Sequence, residues 1–148
     1  VCWSLFNSSK AWYLVSGSDP FNISIGLGID FTARDLQRAC KEKGHPWEKA
    51  KAFDGSAVIG QWVEKEKFKD LHNIDFHLKK NDKIVQSGNT ANMIYDIDTL
   101  IAYVSQYMTL KIGDILFTGT PAGVGPVAID DKLTGYLNSE ESFTLNIK

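Results

Sequence analysis

The segment Gly113–Pro126 combines residue types that could bind an acid, because an apolar run leads directly into a stretch with three glycines and two prolines. The run Ile115–Phe117 predicts a buried strand, and the residues after it predict a tight loop. Thr118 and Thr120 place hydroxyl groups beside Gly119, where a glycine lets the backbone approach a ligand closely. Hydroxyl and backbone N–H groups in such a loop could bind a carboxylate without a cation. An ordinary turn between two strands is the alternative that the spacing leaves open.

A second set of polar side chains lies where a predicted strand ends and a predicted helix, Thr32 to Lys43, begins. Asp30 would present its carboxylate at the sheet edge, or it would cap the helix through its side chain. Arg34 and Gln37 follow Asp30 by four and seven residues, so we expect all three near one face of the first helical turns. Arg34 could then bind a substrate carboxylate through two parallel hydrogen bonds, with Gln37 beside it. Exposed surface positions for both residues are the alternative.

Lys51 stands between two alanines at the predicted start of a strand. A lysine with such small neighbours could be poorly solvated, and its ammonium group could then stabilise the negative charge of a developing enolate. An ordinary exposed lysine is the alternative. The histidines His45, His72 and His77 have no metal-ligand spacing, and we interpret them as structural or surface residues.

Many short strands and two helices must position these side chains, which predicts an α+β, mainly β architecture in a single domain spanning residues 1–148. We expect one or two strands and a turn at 16–20 in the divergent or incomplete region 1–24. The first helix should place Leu36, Ala39 and Cys40 inward, and Gly44 should end it. The second helix should lie near residues 99–108, capped by Asp96 or Asp98. Its inward positions would be Leu100, Ile101, Val104 and Met108.

Composition limits the partners that this chain could have. The formal net charge of −2 argues against nucleic acid and anionic membranes as ligands. Neither an apolar run long enough to span a bilayer nor a signal-peptide pattern is visible in the sequence, and the two cysteines form no disulfide framework. We therefore expect a cytoplasmic protein that binds neither nucleic acid nor a membrane.

Four blocks of the sequence together resemble the fumarylacetoacetate hydrolase family, and they occur in the family's order. The wording is most similar to the small acylpyruvase and oxaloacetate decarboxylase branch, and the resemblance extends from about Ile25 to the C-terminus. The four blocks are Gly26–Gln37, Gly44–Ser56, Gln86–Tyr95 and Gly113–Pro126.

The resemblance implies a fold of rolled mixed β-sheets with a few short helices, and it implies roles for particular residues. Asp30 would bind a divalent cation, Mg²⁺ or Mn²⁺, whereas Lys51 would be catalytic. The positions that would face the substrate and hold its carboxylate or keto oxygens are Arg34, Gln37, Gly119 and Thr120.

By the same resemblance, the chain would be a metal-dependent hydrolase, decarboxylase or isomerase of a small 2-oxo or β-diketo acid. It would act through a stabilised enolate, and family members are commonly homodimers.

Two parts of the family's site have no counterpart in this sequence. Residues 1–29 contain no glutamate to form the upstream Glu-x-Glu metal ligands, and no His/Glu acid–base pair is visible near the N-terminus. We do not transfer the ligand role to Glu64-Lys65-Glu66, which lies downstream of Lys51. Because the chain begins with Val1, we expect it to be N-terminally truncated or divergent. The alternative function is that of a catalytically incomplete family member, which binds small acids or a partner chain without converting them.

Overall fold

The computed structural model describes residues 5–7, 9–15 and 23–148, with side chains from residue 23 onward. Two α-helices, α1 (Arg34–Glu42) and α2 (Ile97–Ser105), accompany eleven strands in this part of the chain. Single-turn 3-10 helices lie at Glu48–Ala50, Lys65–Lys67 and Thr90–Asn92. The strands are β1 (Leu5–Asn7), β2 (Ser9–Val15), β3 (Ile23–Asp30), β4 (Thr32–Ala33), β5 (Ala57–Glu64), β6 (Asp75–Lys80), β7 (Lys83–Asn89), β8 (Ile115–Phe117), β9 (Gly125–Val127), β10 (Lys132–Leu137) and β11 (Glu140–Asn146).

The described strands form three sheets, with the orders β5-β3-β2-β8, β11-β10-β6-β7 and β4-β1-β9. Each pairing between these strands is antiparallel. The predicted mainly β architecture with two helices is confirmed. The strands expected near the N-terminus are present as β1 and β2, whereas the turn expected at 16–20 lies outside the described residues.

The core forms where the two four-stranded sheets pack against each other. Strand β3 lies at its centre, since Ile25, Leu27 and Ile29 are each at most 1% exposed. Ile25 and Leu27 pack with Phe76 of β6, while Ile29 belongs to a second cluster on the same strand. A β-carbon at Gly60 would lie 2.3 Å from Ser142 Oγ, so the absence of a side chain there allows β5 and β11 to approach closely.

Local signals correctly predicted one end of each helix. Gly44 follows α1 with a φ of +64°, a conformation that favours glycine. The Asp96 carboxylate accepts a hydrogen bond from the Thr99 N–H at 2.7 Å and caps α2, as predicted. Asn81 and Asp82 both have positive φ and form the two-residue turn of the β6–β7 hairpin.

Some of the predicted helix faces are wrong. In α1 the buried side chains are Gln37 and Cys40, whereas Ala39 is exposed. Helix α2 buries Ile97 and ends at Ser105, so Met108 lies in the turn that follows and is 66% exposed. No helix in the described part of the chain is both long and apolar enough to cross a membrane.

Candidate active site

Strand register brings two of the sequence blocks to the same end of one sheet. Strand β2 pairs antiparallel with β3 on one side and with β8 on the other, so β3 and β8 run in the same direction. Trp12 is opposite both Gly26 and Phe117, and continuing this register places the loop after Phe117 level with the last residues of β3. In this register Thr118 would lie level with Leu27 and Thr120 level with Ile29, each pair about 10 Å apart, the width of two strand spacings.

The short strand β1 also lies between two segments of these blocks. It pairs antiparallel with β4, which follows β3, and with β9, which follows β8. Phe6 pairs with Thr32 on one side and with Pro126 on the other. The segments 27–33 and 117–127 thus run alongside each other, separated by the ribbon that residues 5–7 and 9–15 form. The backbone of this ribbon sets the distance between the two halves of the candidate site.

Lys51 reaches the end of β3 from the 3-10 turn at Glu48–Ala50. Its Nζ donates hydrogen bonds to Asp30 Oδ2 at 2.5 Å and to Thr32 Oγ1 at 2.8 Å. The Phe31 N–H donates to the Ser56 carbonyl at 2.7 Å, which ties the loop that carries Lys51 to this strand end. Because the Lys51 side chain is 30% exposed, its ammonium group is held in place yet accessible to a small ligand.

Asp30 does not cap α1. The helix begins at Arg34, its N-cap position is Ala33, and no side chain caps it. The Asp30 carboxylate instead forms an ion pair with Lys51, so the cap interpretation is wrong and the expected common helix face for Asp30, Arg34 and Gln37 is wrong as well. The Thr32 hydroxyl does not cap the helix either, and it accepts a hydrogen bond from Lys51.

Arg34 and Gln37 do come together in the first turn of α1. Arg34 Nη1 donates a hydrogen bond to Gln37 Oε1 at 3.4 Å. Gln37 is buried while Arg34 is exposed, so the pair connects the helix interior to the surface. The guanidinium group keeps further N–H donors with which it could bind a carboxylate.

The described residues do not complete a metal site. Between residues 23 and 148, no group of three histidine, cysteine, aspartate or glutamate side chains is placed to hold an ion. Asp30 contributes one carboxylate, and its ion-pair partner is an ammonium group that would repel a divalent cation. Glu64 pairs with Ser24, six residues before Asp30 on β3, which puts the Glu64-x-Glu66 pair about 20 Å from Asp30.

A cavity of about 500 Å³ lies between the hairpin strand β7 and the loop that follows β8. Thr118, Gly119 and Thr120 line it on one side, and Gly88 and Asn89 line it on the other. The blocks 86–95 and 113–126, which are far apart in sequence, therefore form opposite walls of one pocket. The further described lining residues are Phe76, Ser87, Asn92, Met93, Ile94, Tyr95, Leu100, Pro121 and Ala122.

The structure thus places the predicted residues in two groups. Gly119 and Thr120 line the cavity, whereas Asp30, Arg34, Gln37 and Lys51 do not belong to its described lining. The β1–β2 ribbon accounts for this division, because it runs between the two segments.

Sequence reasoning assigned no role to Gln86, a residue that contacts the candidate site from behind. Its side chain is buried on β7 and donates hydrogen bonds to Thr120 Oγ1 and to the Pro121 carbonyl oxygen. The hydrophobic pattern of β7 gave no signal for it, since Gln86 is buried while the neighbouring apolar residues Ile84 and Val85 are exposed.

Comparisons with known proteins agree with this architecture. The family described as "Fumarylacetoacetate (FAA) hydrolase C-terminal" matches residues 24–148. A bovine relative, "Oxaloacetate tautomerase FAHD1, mitochondrial", is 44% identical over 122 residues, which cover 82% of this chain and 55% of the relative. The Escherichia coli relative "Oxaloacetate tautomerase YcgM" is 46% identical over 110 residues, covering 74% of this chain and 50% of the relative. The chain therefore spans about half the length of the curated relatives that it matches.

Solved structures share the fold. A putative fumarylacetoacetate hydrolase family protein from Yersinia pestis superposes with a TM-score of 0.90 at 38% identity, covering 98% of this chain and 72% of that one. A fumarylpyruvate hydrolase from Pseudomonas aeruginosa, solved in complex with Mn²⁺ and pyruvate, has the same fold at 24% identity, with a TM-score of 0.87 and coverage of 97% and 66%. Taken with the motif blocks and the sheet topology, these similarities show that the chain belongs to the fumarylacetoacetate hydrolase family.

Proposed function

We propose that this chain binds a small 2-oxo or β-diketo acid and promotes its tautomerisation, decarboxylation or hydrolysis by stabilising an enolate. The observation that carries the proposal is the position of Lys51. Its ammonium group is fixed by Asp30 and Thr32 at the end of β3, the same end of the sheet at which the Thr118–Thr120 loop begins. A preorganised cation at that place would lower the energy of negative charge that develops on a keto oxygen.

The other predicted residues would bind and orient the acid. The hydroxyl of Thr120 and the backbone N–H of Gly119 are suited to donate hydrogen bonds to a carboxylate or keto oxygen at the cavity wall. Arg34 would form charge-assisted hydrogen bonds to a carboxylate, while Gln37 fixes the guanidinium group from the helix side. Oxaloacetate is the substrate we favour, because the bovine and Escherichia coli relatives both carry the name oxaloacetate tautomerase.

Metal dependence is a separate part of the proposal. When bound in a site of this family, Mg²⁺ or Mn²⁺ would chelate the 2-oxo acid and polarise its carbonyl group. Among the described residues no group of three histidine, cysteine, aspartate or glutamate side chains is placed to hold an ion, and Asp30 is paired with Lys51, so we assign no step to a metal.

This donor set also favours a second candidate function, in which the chain binds small acids without converting them. The two candidates differ in turnover, not in binding, and both use the same predicted binding residues.

The test is an assay of oxaloacetate tautomerisation, followed by the loss of enol ultraviolet absorbance, in EDTA and with added Mg²⁺ or Mn²⁺. We expect Lys51→Met to lower kcat/KM about 100-fold and Thr32→Val to lower it by roughly two- to tenfold, because each change removes or loosens the positioned cation. Lys49→Met is the matched control, since Lys49 is an exposed lysine of the same 3-10 turn.

Three outcomes are informative. Turnover that depends on Lys51 supports the enolate proposal, whereas turnover that is the same in Lys51→Met contradicts it. Calorimetric binding of oxalate, an enolate mimic, without turnover under any of the metal conditions would favour the binding function.

We also propose that the protein acts as a homodimer. The support is a group of exposed apolar side chains on α2 and its flanking loops, which we call the α2 surface and define as Ile94, Tyr95, Tyr103, Tyr107, Met108 and Ile112. Each is between 59% and 92% exposed, and pairing with a second copy would remove this apolar area from water.

A further inference from the structure

Hydrogen-bonding partners fix which way the buried Gln86 amide points. One of its terminal atoms lies 3.3 Å from the carbonyl oxygen of Pro121, and a carbonyl can only accept a hydrogen bond. That terminal atom must therefore be Nε2, the donor of the amide group. The same Nε2 lies 3.4 Å from Thr120 Oγ1, so the threonine hydroxyl accepts this hydrogen bond as well.

This arrangement leaves the hydroxyl proton of Thr120 available for another acceptor. A hydroxyl group has one proton and two lone pairs, and here one lone pair faces Gln86. Thr120 lines the 500 Å³ cavity, whereas Gln86 is buried behind it, only 3% exposed. The proton can therefore be donated to an oxygen of a ligand in the cavity, while the amide of Gln86 does not contact that ligand.

The loop that carries Thr120 is also packed tightly against the strand that carries Gln86. A β-carbon at Gly123 would lie 2.5 Å from the Val85 carbonyl oxygen and 3.1 Å from Gln86 Cγ. The positive φ of Gly123, +99°, is a further reason for glycine at this point. The backbone of the loop thus packs directly against β7. The Gln86 amide, by donating to Thr120 Oγ1, then orients the O–H bond of Thr120 away from Gln86.

We propose that Gln86 is a positioning residue that makes Thr120 a hydrogen-bond donor toward an acid oxygen in the cavity. The inference rests on the proposed function for the identity of the ligand, an acid with a carboxylate or enolate oxygen. It also predicts a binding preference. Because the Thr120 hydroxyl donates into the cavity, ligands with a hydrogen-bond acceptor at that place bind better than ligands with only a donor there.

A double-mutant cycle on oxalate binding tests the proposal, with the dissociation constant measured by calorimetry on the folded full chain. We expect Gln86→Met, which keeps the side-chain length and removes the donor, to weaken oxalate binding about three- to tenfold. In a Thr120→Val background the same change should alter the dissociation constant less than twofold, since the hydroxyl it acts through is absent. In a Thr120→Ser background, which keeps the hydroxyl, the full effect should return.

Two controls separate positioning from general damage. Gln61→Met makes the same change at an exposed glutamine of β5 and should leave oxalate affinity unchanged. Thermal unfolding of each variant reports folding, and Gln86→Asn, which keeps the amide but shortens its reach, replaces Gln86→Met if that variant does not fold.

The outcomes distinguish this inference from the proposed function. If the wild-type chain binds oxalate and the effect of Gln86→Met is equally large with Val or Thr at position 120, the positioning role is overturned while the proposed function stands. If the wild-type chain binds no oxalate or other 2-oxo acid, both are overturned.

Discussion

The carboxylates of Asp30 and Asp131 have different roles, because their hydrogen-bond partners differ. Asp30 accepts hydrogen bonds from the ammonium group of Lys51, a contact between side chains 21 residues apart that creates a charged, accessible group. Asp131 is buried and accepts hydrogen bonds from the Ala128 N–H at 2.8 Å and from Asn81 Nδ2 at 2.7 Å. The Asp30–Lys51 pair could take part in binding or catalysis because it is accessible to a ligand. The Asp131 hydrogen bonds instead connect the turn before β10 to the β6–β7 hairpin.

We predict that Asp131→Asn lowers the free energy of unfolding by about 1 to 3 kcal/mol at neutral pH, because the new amide NH2 faces one of the two donors. Hydrogen bonds from Ala128 and Asn81 hold the pKa of Asp131 below its ordinary value of 3.8. A pKa lowered by folding stabilises the protein above the ordinary pKa, and this contribution is lost as the pH falls through the lower, folded value. The difference in stability between the wild type and the variant should therefore be complete at pH 6 to 7 and should shrink below about pH 4.

Denaturant unfolding of both proteins at several pH values measures this effect. Asp130→Asn is the matched control, because it removes a neighbouring exposed carboxylate at a positive φ that asparagine tolerates. Equal stability of the wild type and Asp131→Asn at neutral pH would contradict the prediction.

At the scale of elements, the loop between β8 and β9 is positioned by its backbone more than by its side chains. Its glycines have different surroundings, which makes them separable by mutation. Gly123 has a φ of +99° and faces the β7 backbone, whereas Gly125 has open space where a β-carbon would be.

We predict that Gly123→Ala lowers the free energy of unfolding by about 2 to 4 kcal/mol, because it combines a strained φ with a clash against the Val85 carbonyl oxygen. It should also weaken oxalate binding, since the loop can no longer seat on β7 and present Thr120. Gly125→Ala, the control at the first residue of β9, should change stability by less than 1 kcal/mol. Thermal unfolding and calorimetry measure both effects, and an equal response of the two variants would show that the seating of the loop is unimportant.

At the scale of the whole molecule, packing of the two large sheets leaves the α2 surface exposed. Tyr103 and Tyr107 lie one helical turn apart with ring centroids separated by 5.3 Å, so their exposed rings adjoin. Aromatic side chains that meet in this way on a surface are typical of protein–protein interfaces.

We predict that the wild-type chain has twice its monomer mass of 16.5 kDa in solution and that Tyr103→Lys with Tyr107→Lys makes it monomeric. Two lysines on each face would place like charges opposite each other in a symmetric pair. Light scattering coupled to size-exclusion chromatography measures the mass. Ile129→Lys, at an apolar residue 73% exposed in another loop, is the control and should leave the dimer intact. A monomeric wild type at micromolar concentration would disprove the dimer.

The sequence by itself determined the features that depend on neighbours along the chain. The Asp96 cap and the glycine after α1 each follow from contacts within a few residues, so local residue types were enough to predict them. The motif blocks also predicted the family, because long stretches of residues matched in order.

Only the tertiary structure decided which side chains meet. The pairing of Asp30 with Lys51 depends on how the 3-10 turn folds back on β3, and the contact of Gln86 with Thr120 joins residues 34 apart. Strand register likewise separates Glu64 from Asp30 by the length of β3. Register is set by the burial of whole sheet faces, a property of all the strands together, and a one-residue shift of β3, β5 or β7 would move Asp30, Glu64 or Gln86 to the opposite face.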